Sequence, residues 1–384
     1  QLNPITKTVR ASVDEDKTHG SVMPPLFLSS NFTFEGFNQK RKYDYTRSGN
    51  PTRDQLGDAI SDLEGGFGST ITASGMASIT VALHTLPSNA LIIVPHDCYG
   101  GTQRLLEALK EKGTIRVDYI NQTNKKAVIE AFKQGPQAIL IETPSNPLLR
   151  ITDVEFVAKE AKKVGALVIA DNTFLSPVLQ NPISLGADLI IHSTTKYLNG
   201  HSDVIGGAVV AATKELHEKV SWWANCLGAT GAPFDAYLTL RGMRTLHTRI
   251  KQQELNTHEI VKALSAHSFV SKVYYPGLEN HEGYEIATRQ QKGYGAMVSF
   301  ELKGDLENVK LFLQKINLFT LAESLGGVES LIAHPVTMTH AAMTPEALVG
   351  AGIRENLLRV SVGLESPEDL VTDITEALNF VFPQ

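Results

Sequence analysis

The sequence predicts an α/β protein with one large, mostly parallel β-sheet and a smaller C-terminal α+β domain. Three observations support this fold class. Short apolar runs alternate with amphipathic helical stretches between residues 52 and 212, as in β-α-β units. The chain has 384 residues, of which 42% are hydrophobic, so it can bury more than one core. After a long helical stretch over residues 232–266, strands alternate with helices again.

The strands of the large sheet are predicted where apolar runs are bounded by Gly, Pro, Asp or Asn. These runs cover residues 90–94, 115–120, 138–141, 166–170, 189–191 and 208–211, with helices such as 101–112 and 154–164 between them. Thr52 and Gln55, which follow Pro51, fit a capping box that starts another helix, and this helix should end near Gly65-Gly66. Further strands are predicted in the C-terminal part, at residues 270–275, 296–301 and 357–361.

The first fifty residues differ from the rest of the chain. They are rich in polar and turn residues, contain Pro24-Pro25 and show little periodicity, so we expect an arm that packs on another surface. The predicted organisation is therefore an N-terminal arm (residues 1–50), a central domain (51–250) and a C-terminal domain (251–384).

Composition narrows the possible partners and compartments. A formal net charge of -6 gives no general attraction to nucleic acid or to an anionic membrane, which favours small-molecule partners. Cys98 and Cys226 form neither a disulfide framework nor a C-x-x-C pair, as expected in a cytoplasmic protein. No signal pattern or membrane-length apolar run is present. His201 and His340 lack the spacing of paired metal ligands, so no metal site is expected.

The residues with the clearest chemical meaning are Asp171 and Lys196, each of which closely follows a predicted strand. The carboxyl ends of parallel strands face one crevice, so the two side chains can meet there. A pyridoxal-phosphate (PLP) site needs this pair, because a lysine carries the cofactor as a Schiff base and a carboxylate keeps the pyridine nitrogen protonated. A single lysine would otherwise be a solvated surface charge.

Two elements near this pair suit a phosphate group. Ser193 and Thr195 supply hydroxyls, and residues 72–78 predict a turn into a helix whose first amides attract an anion. Ser74 in that turn is equally consistent with an ordinary helix N-cap. The sequence has no G-x-x-x-x-G-K-[ST] motif, and Gly66-Phe-Gly68 follows a helix rather than a strand, so a nucleotide-binding loop is disfavoured.

Two other classes of protein are compatible with parts of this pattern. Ser193 and Lys196 fit the S-x-x-K signature of serine acyl-enzymes, but Ser202-Asp-Val stands where S-D-N is required and K-T-G is absent. A non-catalytic binding protein on the same fold is the other alternative, and the combination of Asp171, Lys196 and Arg359 argues against it.

Several long segments together resemble the Cys/Met-metabolism family of PLP enzymes over nearly the whole chain. The segments that carry the resemblance are Asp44-Tyr-Thr-Arg-Ser-Gly-Asn-Pro-Thr-Arg53, Pro95-His-Asp-Cys-Tyr-Gly-Gly101, Glu142-Thr-Pro-Ser-Asn-Pro147 and Ala322-Glu-Ser-Leu-Gly-Gly-Val-Glu-Ser-Leu331. The resemblance implies a PLP-dependent transferase fold of the aspartate-aminotransferase type (fold type I), with a seven-stranded sheet in a PLP-binding central domain.

The resemblance also implies the cofactor contacts. Tyr99 would stack on the cofactor ring and assist proton transfers, while Ser74, Gly75, Met76, Thr173, Ser193 and Thr195 would complete the cofactor site. Tyr45 and Arg47 would reach the phosphate in a neighbouring subunit, which implies an obligate dimer that pairs into a tetramer. The alternative for Tyr45 and Arg47 is a surface cation-π pair.

For the substrate, Arg359 lies in a late apolar strand, where a guanidinium needs an anion. The resemblance makes Arg359 a bidentate clamp for an α-carboxylate, and the alternative is an internal salt bridge. Glu323 would attract the distal ammonium of cysteine or cystathionine, and Arg104 would bind a succinyl carboxylate. Ser324 and Asn146 complete the predicted substrate site.

The expected reaction is γ-replacement of O-succinyl-L-homoserine by L-cysteine, a transsulfuration step of methionine biosynthesis, because residues 222–231 and 337–340 most resemble the bacterial γ-synthases of the family. Gly101 argues against methionine γ-elimination, since a cysteine stands there in those lyases. Ser48 stands where the enterobacterial-type synthases have an arginine, and serine there is also found in γ-lyases. The alternatives are therefore γ-elimination of cystathionine and use of O-acetylhomoserine.

Overall fold

The computed structural model describes residues 2–341 and 343–382. Gln1 of the predicted arm, and Ala342, Pro383 and Gln384 of the predicted C-terminal domain, lie outside the described part. The helices are α1 Pro4–Val9, α2 Pro51–Glu64, α3 Gly75–His84, α4 Gly100–Glu111, α5 Lys125–Phe132, α6 Val154–Val164, α7 Ser176–Leu179, α8 Lys214–Leu227, α9 Pro233–Met243, α10 Leu246–Ala266, α11 Tyr284–Gln290, α12 Leu306–Lys315, α13 Pro345–Ala351 and α14 Pro367–Val381. The strands are β1 Gly68–Thr72, β2 Ala90–Pro95, β3 Ile115–Ile120, β4 Ala138–Glu142, β5 Leu167–Asp171, β6 Leu189–Ser193, β7 Gly207–Ala211, β8 Val270–Tyr274, β9 Met297–Leu302, β10 Thr320–Leu321, β11 Leu331–Ala333 and β12 Leu357–Ser361.

The large sheet has seven strands in the order β1-β7-β6-β5-β4-β2-β3. Strands β6, β5, β4, β2 and β3 run parallel, whereas β7 is antiparallel to both of its neighbours. The prediction of a mostly parallel seven-stranded sheet is therefore confirmed. The crevice at the carboxyl ends of parallel strands is the usual ligand site of such sheets.

Successive residues of the central strands belong to two different apolar cores. Ile190 packs in one core, while its neighbours Leu189 and Ile191 pack in the other, on the opposite face of the sheet. Helices cover both faces, which explains why these strands are continuous apolar runs rather than alternating ones. A third core lies between the second sheet, of order β10-β11-β12-β9-β8, and helices of the C-terminal part, including α12 and α14.

The capping box predicted at Thr52 and Gln55 is wrong. Helix α2 is capped by Asn50, whose Oδ1 atom accepts the backbone N–H groups of Thr52 at 2.9 Å and Arg53 at 3.2 Å. Asparagine is a strong N-cap, and Pro51 suits the first helical position because it has no N–H group to satisfy. The Thr52 hydroxyl instead accepts the N–H of Phe27 at 2.9 Å and so holds the arm to α2.

The single helical stretch predicted over residues 232–266 is two helices, α9 and α10. The Gly242 carbonyl, near the end of α9, accepts the Thr245 hydroxyl at 3.1 Å and the Arg249 guanidinium at 2.9 Å. These side chains add to the backbone N–H of Thr245, which donates to the same carbonyl at 3.3 Å, at a helix end where the regular intrahelical hydrogen bonds stop. The periodicity continues across the break, so the sequence did not reveal it.

Strand β1 was not predicted, because its sequence Gly-Ser-Thr-Ile-Thr is short and mostly polar. It forms because it pairs with β7 over its full length, from Gly68 opposite Ala211 to Thr72 opposite Gly207. The described helices include none that is long and apolar enough to cross a membrane.

Candidate active site

A cavity of about 280 Å³ lies at the carboxyl ends of the large-sheet strands, between this sheet and the C-terminal part. Most of the residues predicted for the site line it: Ser74, Gly75, Met76, Tyr99, Asn146, Asp171, Thr173, Ser193, Thr195, Lys196, Glu323, Ser324 and Arg359. The exceptions among the predicted residues are Arg104, Tyr45 and Arg47. The fold therefore brings together side chains that lie far apart in the sequence.

One end of the cavity is formed by the first turn of α3. The Ser74 hydroxyl accepts the N–H of Ala77 at 3.0 Å, so the N-cap suggested by the sequence exists. A Cβ atom on Gly75 would lie 2.9 Å from the Ser193 Cβ, so glycine is what allows α3 to approach β6 this closely. The first amides of a helix have no intrahelical acceptor, and they attract an anion when the helix begins at a cavity.

Gly207 shapes the same end of the cavity and was missed by the sequence analysis. A Cβ atom there would overlap the Ser74 carbonyl oxygen and the Ser78 hydroxyl. Strand β7 can therefore lie directly against the turn before α3. The adjacent glycines Gly206 and Gly207 at the start of a strand were the available signal, because glycine in a strand often marks a close backbone approach.

Asp171 ends β5 and lies on the cavity wall. Its Oδ1 atom accepts the N–H of Thr173 at 2.9 Å, and the Thr173 hydroxyl in turn accepts the N–H of Ser193 at 2.9 Å. Burial raises the pKa of Asp171, although the hydrogen bonds from Thr173 and the charge of Lys196 oppose this effect. A cationic partner in the cavity would remove the cost of keeping this carboxylate ionised.

Lys196 extends into the cavity and donates from its Nζ atom to the Ser324 hydroxyl at 2.7 Å. Burial, followed by repulsion from Arg359, lowers the pKa of Lys196 to about 8, while Glu323 and Asp171 act in the opposite direction. A lysine with this pKa has a substantial neutral fraction near neutral pH. Its amine can therefore act as a nucleophile or as a base.

Arg359 contacts the same residue as Lys196, Ser324, but through the backbone carbonyl rather than the hydroxyl. Its guanidinium donates to the Asn146 side-chain oxygen at 3.1 Å and to the Ser324 carbonyl at 2.9 Å. The residue is only 3% exposed, and its Nε atom is buried without a partner. Burial lowers the pKa of Arg359 to about 10. Within residues 2–341 and 343–382 no carboxylate forms an ion pair with it, so the internal salt bridge is absent and the clamp remains the better interpretation.

Tyr99 directly precedes α4 as its N-cap residue, lines the cavity and is 46% exposed. Its backbone N–H is shared by both carboxylate oxygens of Glu142, each at 3.0 Å. Burial, together with the charge of nearby Asp171, raises the pKa of Glu142 well above its ordinary value. Glu142 belongs to one of the segments that carry the family resemblance, but its sequence context alone predicts no role for it. A lone acid at the end of a buried strand was the signal that could have found it.

Arg104 lies outside the smaller cavity. It is exposed and lines an adjoining cavity of about 920 Å³, which shares Lys196 and Glu323 with the smaller one. A ligand held near Lys196 can therefore extend toward Arg104.

Tyr45 and Arg47 line neither cavity of their own chain. The Arg47 guanidinium lies 5.5 Å from the centre of the Tyr45 ring and donates to the Asn225 side-chain oxygen at 2.9 Å. Within one chain they form the surface cation-π pair that was the alternative. Their predicted contact with a neighbouring subunit stays a prediction.

The residues of the smaller cavity fit PLP in the kinds of group they offer. The amides of α3 and the hydroxyls near Ser193 suit a phosphate, the Asp171 carboxylate suits a pyridine nitrogen, and the Lys196 amine suits an aldehyde. The unpartnered Nε atom of Arg359 is available to a substrate carboxylate. The individual roles of these side chains stay predictions. In the described part of the chain, no group of three or more His, Cys, Asp or Glu side chains could hold a metal ion.

Comparisons with known proteins agree with this geometry. A family model described as "Cys/Met metabolism PLP-dependent enzyme" matches residues 5–379. The cystathionine γ-synthase of Escherichia coli (strain K12) is 50% identical over 370 residues, 96% of this chain and 96% of that protein. A cystathionine β-lyase of Lactococcus lactis subsp. cremoris (strain MG1363) is 45% identical over 97% of this chain and 98% of that protein.

Among solved structures, a cystathionine γ-synthase from Xanthomonas oryzae pv. oryzae, in complex with aminoacrylate and cysteine, is 55% identical. The superposition covers 99% of each chain with a TM-score of 0.98, so the two backbones agree as well as the two sequences. The chain therefore belongs to the Cys/Met-metabolism family of PLP-dependent enzymes.

Proposed function

We propose that this enzyme is a cystathionine γ-synthase, which replaces the succinyl group of O-succinyl-L-homoserine by L-cysteine and releases succinate. The observation that carries the proposal is the shared contact of Lys196 and Arg359 with Ser324, at 2.7 Å and 2.9 Å. This contact sets a carboxylate clamp beside a basic amine, as an α-amino acid substrate requires. The 55% identity to the Xanthomonas oryzae synthase over 99% of both chains supports the choice within the family.

PLP, the cofactor of this family, withdraws electrons from the substrate when bound and so acidifies its Cα–H bond. Arg359 binds the α-carboxylate and thereby orients this bond. Lys196 takes the Cα proton as a base, and the Ser324 hydroxyl, which accepts a hydrogen bond from its Nζ atom, fixes the direction of the amine. Asp171 would hold the pyridine nitrogen of the cofactor in its protonated form. Tyr99, which also lines the cavity, would pack against the cofactor ring and assist proton transfer.

The later steps occur at Cγ, farther from Arg359. The Cγ–O bond to succinate breaks, a Cγ–S bond to cysteine forms, and the thiol proton is released. Glu323 attracts the ammonium group of the incoming cysteine at the junction of the two cavities. Arg104, in the larger cavity, attracts the free carboxylate of the succinyl group. This assignment favours the succinyl over the acetyl donor, because an acetyl group has no carboxylate for Arg104.

A second candidate is γ-elimination of cystathionine, and it is favoured by Ser48. The Ser48 hydroxyl donates to Asp44 at 3.0 Å and to the Tyr45 carbonyl at 2.7 Å, so this position supplies no cation for a succinyl carboxylate. A cystathionine γ-lyase of Bacillus subtilis (strain 168) is 41% identical over 97% of this chain.

The product profile separates the two reactions. The purified PLP-loaded enzyme is incubated with O-succinyl-L-homoserine and L-cysteine, with O-acetyl-L-homoserine and L-cysteine, or with L-cystathionine alone, and the products are measured by mass spectrometry. We expect cystathionine and succinate from the first mixture, less product from the acetyl donor and slow turnover of cystathionine. Rapid release of cysteine and 2-oxobutanoate from cystathionine, with little synthesis, would make the enzyme a γ-lyase.

We also propose that the enzyme forms dimers in which each arm completes the partner's site, and that these dimers pair into tetramers. Large apolar side chains of the arm are exposed in the single chain, among them Leu28 at 67% and Phe37 at 101%. Neither Tyr45 nor Arg47 lines the cavity of its own chain, so both are free to act in another.

Mixed dimers test this sharing. Arg47→Ala and Lys196→Ala should each be nearly inactive alone. After unfolding and refolding together, they should recover about a quarter of wild-type activity, because half of the dimers are mixed and one of their two sites is intact. Light scattering gives the oligomeric state of each sample. Mixed dimers without recovered activity would mean that each site is built from one chain.

A further inference from the structure

A buried polar network lies next to the ends of β5 and β6, on the face of these strands that points away from the smaller cavity. At its centre is Glu64, the last residue of α2, which is 1% exposed. One carboxylate oxygen of Glu64 lies 2.6 Å from the His192 Nε2 atom and accepts the Asn172 side-chain N–H at 2.8 Å. His192 and Asn172 are themselves 1% and 0% exposed. All three side chains are therefore enclosed by protein.

The partners of Glu64 each adjoin a residue of the cofactor site. His192 directly precedes Ser193 at the end of β6, and Asn172 directly follows Asp171 at the end of β5. The side chains of neighbouring strand residues point to opposite faces, so His192 faces away from the cavity that Ser193 lines. One carboxylate thus fixes the ends of two strands from behind.

The network continues to a third strand. Gln180 and Asn172 exchange two hydrogen bonds, from the Asn172 side chain to the Gln180 carbonyl at 2.8 Å and from the Gln180 side chain to Asn172 Oδ1 at 3.1 Å. Gln180 also donates to the carbonyl of Thr143, directly after Glu142 at the end of β4. The ends of β4, β5 and β6 are therefore linked by side chains that do not enter the cavity.

General stability does not explain why a carboxylate occupies position 64. The negative end of the α2 dipole lies there, and it disfavours an acidic side chain in the last turn. The second oxygen, Glu64 Oε2, is buried without a hydrogen-bond partner. Burying a carboxylate with one oxygen unpaired carries a desolvation cost, which only the His192 and Asn172 contacts of the other oxygen offset.

We propose that Glu64 is a positioning residue for the cofactor site: through His192 and Asn172 it fixes Ser193 on the phosphate side and Asp171 on the ring side. Side chains that bind a ligand must be held by their neighbours within a fraction of an ångström. In metal sites, losing an outer partner of a ligand typically costs about 10- to 100-fold in affinity, and we expect an effect of that size here. The proposal rests on the family's cofactor alone, so it holds whichever of the family's reactions the enzyme catalyses.

The test compares Glu64→Gln with Asp373→Asn, a matched isosteric change of another buried carboxylate. Asp373 on α14 is 8% exposed and accepts backbone N–H groups of Asn317 and Leu318 at 3.0 Å and 2.8 Å, in the core of the C-terminal part. For each apoprotein, thermal unfolding, the Kd for PLP by equilibrium dialysis and the visible absorption spectrum of the PLP-loaded form are measured.

We expect Glu64→Gln to weaken PLP binding by about 10- to 100-fold and to change the visible spectrum, whereas Asp373→Asn lowers only the melting temperature. His192→Gln should weaken PLP binding similarly. If Glu64→Gln and His192→Gln lower the melting temperature as Asp373→Asn does but bind PLP like the wild type, Glu64 is only a packing residue and the proposal is wrong. It is also wrong if neither variant folds while Asp373→Asn does, because the network then serves the fold as a whole.

Discussion

Replacing Lys196 by alanine will lower kcat by at least about 10²- to 10⁴-fold, the contribution of one positioned acid–base group. The loss should exceed this range because the same side chain is also the predicted attachment point of PLP. Two measurements report on it: steady-state turnover, and exchange of the substrate Cα hydrogen with deuterium from the solvent. The exchange measurement directly reports on removal of the Cα proton, the step assigned to the Lys196 amine.

Two controls show whether the loss has this cause. Added methylamine should restore part of the Cα exchange in Lys196→Ala, because it supplies the missing amine in the space left by the side chain. Lys125→Ala removes a surface lysine whose ion pair with Asp153 is 3.3 Å long, and it should leave exchange unchanged. A Lys196→Ala enzyme that exchanges the Cα hydrogen at nearly the wild-type rate would show that another residue is the base.

Replacing Arg359 by alanine will lower kcat/KM by roughly 30- to 4,000-fold, since removing one partner of a buried, hydrogen-bonded charge pair costs about 2–5 kcal/mol. The variant removes two donors, those now directed at Asn146 and at the Ser324 carbonyl. Arg359→Lys keeps the charge but loses the planar fork, so its loss should be intermediate. KM and kcat are measured separately for each variant.

The control for Arg359 is a change in the substrate. An analogue that lacks the α-carboxylate should react poorly with the wild-type enzyme, and Arg359→Ala should slow it little further, since the lost interaction is already missing. Equal losses for the substrate and the analogue would mean that Arg359 acts through the fold. Circular dichroism must show that the variant is folded, because Arg359 lies in the middle of β12.

Much of the central fold could be predicted from the sequence because its signals are local. The apolar runs that became β2 to β7 lie on both faces of a buried sheet, so their composition alone marks them as strands. Strand β1 escaped notice because what forms it is its pairing with β7, a partner more than a hundred residues away in the chain. At the break between α9 and α10, the Arg249 side chain likewise reaches back to the Gly242 carbonyl, a contact that the local periodicity does not indicate.

For the candidate site, too, some features could be predicted from the sequence and others depend on the tertiary structure. The sequence by itself singled out Lys196, Asp171 and Arg359 as the predicted reactive groups, because each is a charged side chain within or beside an apolar strand, where an unpaired charge is costly. Only the tertiary structure decided how these groups are tuned. Burial by other segments, followed by repulsion from Arg359, lowers the pKa of Lys196 to about 8, and neither cause is a property of the local sequence.

The contacts that Glu142 and Glu64 make near the site could also be seen only in the tertiary structure. A glutamate at a strand or helix end resembles any solvated acid until the fold shows what encloses it. Glu142 accepts the Tyr99 amide, and Glu64 fixes His192 and Asn172, across 43, 128 and 108 positions of sequence. The sequence thus supplies the charged groups of the site, whereas their burial and their partners arise only when distant segments pack together.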